Sequence, residues 1–281
     1  MKNRVLAIIL ALVMGLSLTA CVSSFSPSPS PLAPASPVTL PAPAPATPSD
    51  FDYVSGKGSV LVGYTVYAPM NYTDEQGVFT GFDTELTILV FEKLGLEPEF
   101  VEIDWSTKEI ELAAKSIDCI WNGMTITEER RQNVDFTVPY LMNAQVVVMK
   151  TESGYTDTAT LIGKTVCAEA GSAGETTVRE DENLSKSVFI AKEKQTDCLM
   201  EVAAGTADAA VLDLTLAKAM IGPGTNYALL GIKDALAEEY YGVAFRLGSD
   251  ITDKVNAAFA ELIADGTMGE LALKYDLALA E

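Results

Sequence analysis

Arg130 and Asp213 carry the most legible chemistry in this sequence. Arg130 follows the Thr-rich stretch Gly123-Met-Thr-Ile-Thr127 at the start of a short helix, and its planar guanidinium offers a two-pronged donor that fits a carboxylate. Asp213 ends the apolar run Ala209-Ala-Val-Leu212. A carboxylate at a strand's C-terminal edge, facing a cleft, is placed to pair with an ammonium. Each has a plainer reading: a solvated surface arginine, and a helix N-cap, which Asp also favours. Gly123 and Thr125 lie on the loop before Arg130, where backbone N–H groups at a helix start favour anions, although loop formation and capping explain them equally. Gly171-Ser172-Ala173 opens another helix in the same manner.

Other chemistries are excluded. The chain has no histidine, which removes Ser-His-Asp and Cys-His catalysis and most zinc sites; no acid–base carboxylate pair is evident either. With 39 acidic against 19 basic residues the net charge is −20, a surface that repels phosphate, so no nucleic-acid partner is expected. Neither cofactor nor metal is expected. The four cysteines, at 21, 119, 167 and 198, are too few and scattered for a disulfide scaffold; whether Cys167 and Cys198 pair stays open.

These residues need elements to position them, and 281 residues suffice for about two domains. A basic start, the apolar run Val5–Leu16 and Leu18-Thr-Ala-Cys21 predict a signal peptide over 1–20. The run is too short to span a bilayer. Residues 21–52 hold nine of the 13 prolines and predict an extended polyproline linker. Strands are expected at Val60–Tyr64, Glu97–Ile103 and Asp118–Trp121, alternating with helices through Phe82–Val90 and Lys108–Lys115. After a β-rich crossing at Gln145–Met149 the alternation restarts. Strands at Gly163–Glu169, Val188–Ile190 and Asp208–Leu212 enclose helices at Ser172–Asp181 and Thr196–Ala204. A second crossing at Gly242–Phe245 leads to terminal helices through Val255–Ile263 and up to Tyr275. The pattern predicts an α/β fold of two lobes, 53–144 plus 243–281 and 145–242, with hinges near Gln145–Val148 and Gly242–Ala244 beneath a cleft.

Seven stretches occur together in one order: Gly63-Tyr-Thr-Val-Tyr-Ala-Pro69, Gly81-Phe-Asp83, Gly123–Arg130, Val134–Tyr140, Ala170–Glu175, Gly205–Asp213 and Ala264–Thr267. Through them, residues 57–281 resemble the polar amino-acid solute-binding proteins of bacterial ABC importers, family 3. The resemblance implies a type II periplasmic-binding-protein-like fold, each lobe a mixed sheet flanked by helices. It implies that Arg130 and Thr125 take a ligand α-carboxylate and that Gly123 and Asp213 take the ammonium. Ser172 and Ala173 would supply a contact from the second lobe, with Ala173 replacing the usual Thr. Tyr67 and Trp105 would sandwich the ligand side chain, and Asn122, where serine is common, would face the cleft. Tyr64 stands where members that bind basic amino acids often carry an acid, whereas Glu169 adds an acid where an apolar or amide residue is commoner. The ligand is thus a free amino acid, basic or neutral polar. Leu-Thr-Ala-Cys21 resembles a lipobox, which implies a lipidated Cys21 and an extracytoplasmic, membrane-anchored monomer serving an ABC permease. The alternatives are an enzyme on the same fold, such as a dehydratase, or a sensory ligand-binding module.

Overall fold

The computed structural model describes residues 49–280; the signal peptide, Cys21 and nearly all of the Pro-rich linker lie outside the described residues. In chain order the first elements are α1 (Asp50–Lys57), β1 (Ser59–Tyr64), β2 (Tyr72–Thr73), β3 (Phe79–Thr80), α2 (Phe82–Lys93), β4 (Glu97–Glu102), α3 (Lys108–Ala113), β5 (Cys119–Ile120) and β6 (Val134–Phe136). They are followed by β7 (Leu141–Lys150), β8 (Thr165–Glu169), α4 (Ala173–Glu180), β9 (Val188–Lys192), α5 (Gln195–Ala204), β10 (Ala209–Asp213), α6 (Leu214–Met220) and β11 (Leu230–Tyr241). The chain closes with β12 (Ala244–Arg246), α7 (Ile251–Ala264) and α8 (Thr267–Lys274).

Two five-stranded sheets organise the fold, one ordered β4-β1-β5-β12-β6 and the other β11-β7-β10-β8-β9. Parallel pairs such as β1 with β4 and β8 with β9 are the buried ladders that strand–helix alternation produces. Over the first sheet Trp121 packs edge-on against Phe91 and Phe259, and Tyr140 stacks on Phe82. Full burial of such rings is favourable by roughly 1.5–3 kcal/mol each. In the second sheet Val146, Val147 and Val148 are fully buried, and α4 and α5 pack against β8 and β10.

Three elements depart from expectation. α1 starts at Asp50, inside the expected linker, because Ser49 and Asp52 form a reciprocal capping box and Asp50 pairs with Arg246 at 2.8 Å. β11 was hidden by its composition, since Leu-Gly-Ile-Lys-Asp-Ala-Leu-Ala-Glu-Glu-Tyr-Tyr favours helix, and two register shifts break its alternation. The crossings are also displaced. β7 pairs with β11 from Leu141 onward, but β10 joins it only along Gln145–Val148. Gln145–Val148 is therefore held on both sides, while Leu141–Ala144 and Glu238–Tyr241 form a two-stranded ribbon. That ribbon reaches the first lobe through the hydrogen bonds Tyr140 N to Tyr241 O and Ile126 N to Tyr240 O, each 2.9 Å. Just beyond it, a Cβ on Gly242 would lie 2.8 Å from the Ile126 side chain, which would have to shift to admit it.

Candidate functional site

The two lobes meet around a small cavity lined by Tyr67, Trp105, Asn122, Gly123, Thr125 and Arg130 from the first, and by Glu169, Ser172, Ala173, Gln195 and Asp213 from the second. Its volume is about 10 Å³, room for roughly one water. This is a closed arrangement, and admission of an amino acid requires the lobes to part. Of the residues singled out in the sequence for ligand contact, Tyr64 alone lies elsewhere. It ends β1 with its ring against Phe79 and Phe100, at centroid distances of 4.8 and 6.2 Å, because aromatic packing on that side outweighs exposure.

Arg130 opens a single 3₁₀ turn and is 9% exposed. Its Nη1 donates to the Thr125 carbonyl at 2.7 Å, and its Nη2 donates across the cleft to the Gly171 carbonyl at 3.2 Å. Burial draws its pKa below the ordinary arginine value, opposed by Glu109, Glu239 and Asp213, yet a guanidinium stays charged. Gly123 takes φ 58°, and a Cβ there would lie 2.9 Å from the Tyr67 ring. Its N–H donates to Asp83 Oδ2 at 2.7 Å, and the Tyr140 hydroxyl donates to the same oxygen at 3.0 Å. Asp83, fully buried and pushed up to about 7 by desolvation, therefore fixes the loop that carries Gly123.

Asp213 occupies the N-cap position of α6, but its side chain makes no capping bond. The carboxylate turns into the cavity and is held by amides. Asn143 Nδ2 and Gln145 Nε2 donate to Oδ1 at 2.8 and 2.6 Å, and Gln195 Nε2 donates to Oδ2. Gln195 Oε1 in turn accepts from the Asp213 backbone N–H at 3.0 Å. Among the described residues no cation forms an ion pair with Asp213.

Glu169 is 3% exposed, and desolvation, aided by Asp213, pushes its carboxyl up to about 8 while Lys108 and Gln195 pull it down. Lys108 is the principal residue that sequence reasoning missed. Its Nζ sits 4.9 Å from the Trp105 ring centroid and donates to the carbonyls of Trp105 and Gly171, both at 3.0 Å. Burial and the Arg130 charge push it down to about 8. The available signal was its position three residues after Trp105.

Two expectations are modified by hydrogen bonding. Asn122 lines the cavity, but its amide is spent on Thr65 and Asn71: Nδ2 donates to Thr65 O at 2.9 Å and Asn71 Oδ1 at 2.7 Å, and Oδ1 accepts from Thr65 N and Oγ1. At the start of α4 the Gly171 N–H donates to Glu175 Oε2 at 2.7 Å, the Ser172 N–H to Glu169 O at 3.2 Å, and the Ser172 hydroxyl accepts from Glu175 N. Neither of those two N–H groups is free for a ligand. Tyr67, 3% exposed, hydrogen-bonds through its hydroxyl to that of Tyr241 at 2.6 Å.

Residues 60–277 match the bacterial extracellular solute-binding proteins, family 3. The chain is 31% identical over 226 residues to the arginine-binding extracellular protein ArtP of Bacillus subtilis (strain 168), covering 79% of this chain and 87% of that protein. It is 30% identical over 226 residues to the L-cystine-binding protein TcyJ of Escherichia coli (strain K12), covering 79% and 84%. Among solved structures, the P235GK mutant of ArgBP from T. maritima superposes with a TM-score of 0.74 at 32% identity, over 80% of this chain and 98% of that one. The two-lobed α/β architecture is that of type II periplasmic binding proteins. By these similarities, and by the cavity its two lobes enclose, this chain belongs to the bacterial extracellular solute-binding proteins, family 3.

Proposed function

We propose that the protein captures a free basic amino acid of the arginine, lysine or ornithine class between its lobes and hands it to an ABC permease. The observation that carries this reading is the convergence of Arg130 and Asp213, from opposite lobes, on one buried cavity. Arg130 takes the α-carboxylate and Asp213 the α-ammonium, each through charge-assisted bonds of roughly 1.5–3 kcal/mol. Glu169 receives the distal cation, with Tyr67 and Trp105 on either side of the chain. The spent amide of Asn122 weighs against the neutral polar alternative, because it takes away one donor that a side-chain carbonyl could use. The arginine-binding relative supports the same class.

On this reading the protein is a binding protein rather than an enzyme. It acts as an extracytoplasmic monomer held to the membrane by a lipidated Cys21, with the Pro-rich segment as spacer. Among the described residues no helix is long and apolar enough to cross a membrane. The lobes 53–144 plus 243–281 and 145–242 open and close about the ribbon of β7 and β11.

A thermal-shift screen against the common amino acids, ornithine and cystine tests the assignment. Ligand at about 1,000 times its Kd adds roughly 4 kcal/mol of stability, a shift of several degrees. Stabilisation by arginine, lysine or ornithine is expected; stabilisation by neutral amino acids alone would reject the basic class.

A further inference from the structure

Asn143 and Gln145 project two residues apart on one face of β7, which runs between β10 and β11. Asp213 of β10 pairs in register with Gln145, and Glu239 of β11 pairs with Asn143. Each amide donates to both carboxyl groups. Asn143 Nδ2 is 2.8 Å from Asp213 Oδ1 and 2.5 Å from Glu239 Oε1; Gln145 Nε2 is 2.6 and 2.9 Å from the same two oxygens. Two oxygens that share two amide nitrogens are close neighbours. The buried Asp213 carboxylate, so placed, raises the cost of ionising Glu239.

Among the described residues no cation forms an ion pair with either carboxyl group, and the Arg130 charge acts on both without hydrogen-bonding to either. Arg130 is committed to the Thr125 and Gly171 carbonyls, and Lys108 to those of Trp105 and Gly171. The other titratable neighbours are the Glu169 carboxyl and the Tyr67 and Tyr241 phenols, which burial and these carboxylates push up. Glu239 is only half-buried and also lines an open groove of about 940 Å³ between the lobes, beside Glu238 and Glu109. A proton on it therefore has a route to water.

We propose that Glu239 is a positioning residue for the ammonium site, carrying a proton in the unliganded protein and releasing it to solvent when a ligand ammonium docks on Asp213. The step breaks the Glu239 O–H bond and leaves both carboxylates ionised against the incoming cation, so the pocket exchanges one positive charge for another. Desolvation and the Asp213 charge both raise the Glu239 pKa, in keeping with this. The inference rests on the assignment of Asp213 to the ligand amine.

The first test needs no ligand. In ¹³C-carboxyl NMR of ligand-free protein, the Glu239 signal, identified by its loss in Glu239→Gln, titrates at least about one unit above an ordinary glutamate near 4.3, and Asp213→Asn lowers that midpoint. A midpoint in the ordinary range, or one unmoved by Asp213→Asn, overturns the proposal. The second test is calorimetry with L-arginine in buffers of different ionisation enthalpy. Wild type releases protons on binding, and its affinity falls by up to about tenfold per pH unit below the Glu239 midpoint. Glu239→Gln removes that share of the release. Equal release by wild type and Glu239→Gln overturns the proposal. A high Glu239 midpoint without arginine binding supports the carboxyl pair and instead rejects the choice of ligand.

Discussion

The guanidinium of Arg130 in one lobe donates to the carbonyl of Gly171 in the other, 3.2 Å away. The donor proposed for the ligand carboxylate thus also bridges the two lobes. A carboxylate at Nη2 would replace a neutral acceptor with a charged one, adding ion-pair attraction to a bond whose donor is already charged. Ligand binding and lobe closure consequently draw on the same donor.

Lys108 shares the Gly171 carbonyl with Arg130 and should help hold the lobes together. Lys108→Met is expected to remove the one charged hydrogen bond that Lys108 makes across the cleft, roughly 1.5–3 kcal/mol, and to shift the protein toward an open form. Small-angle scattering should report a larger radius of gyration than wild type. The exposed pair Lys194–Glu102, at 2.6 Å across the same cleft, should matter less, since surface pairs contribute about 0–1 kcal/mol. An unchanged radius for Lys108→Met would rule out a latch.

Glu169→Gln should weaken arginine or lysine binding at least about tenfold, or 1.4 kcal/mol, because the neutral amide cannot balance the distal cation. Titration calorimetry measures it. Unaltered affinity for basic ligands would remove Glu169 from the site.

Asp83 sets a pH dependence of folding. Its carboxyl is pushed from 3.8 to about 7 in the folded protein. Between those values the folded state keeps a proton that the unfolded state has lost, so this contribution to stability falls as pH rises from about 4 to 7. Asp83→Asn keeps the acceptor for Gly123 and cannot ionise. Denaturant unfolding should show the variant gaining on wild type across that window, by up to a few kcal/mol. Parallel curves for the two proteins would contradict the assignment.

Much of this architecture is legible from short-range pattern. Val60–Gly63 and Val166–Ala168 are apolar runs because parallel strands are covered on both faces, and the amphipathic repeat of Val255, Phe259 and Leu262 marks the face that α7 buries. Arg130 and Asp213 stood out because the resemblance to the family assigns them the two α-groups of an amino acid. Lys108, Gln195 and Glu239 did not. Lys108 reads as a helix residue until Gly171, 63 positions away, meets its Nζ, and Gln195 becomes a site residue only by reaching Asp213. Glu239 sits in a strand whose Ala, Glu and Leu content favours helix, and its role exists only across β7. Tyr64 lies outside the cavity lining for the converse reason, since its contacts with Phe79 and Phe100 are tertiary.

Whether Arg130 and Asp213 hold the α-carboxylate and α-ammonium of one amino acid is measured most directly by calorimetry of L-arginine with wild type, Arg130→Ala and Asp213→Ala. Wild type should bind. Each variant, with its fold verified by circular dichroism, should lose roughly 2–5 kcal/mol of affinity, because the ligand's partner charge would remain buried and unpaired. Wild-type affinity in both folded variants would place the amino acid away from Arg130 and Asp213.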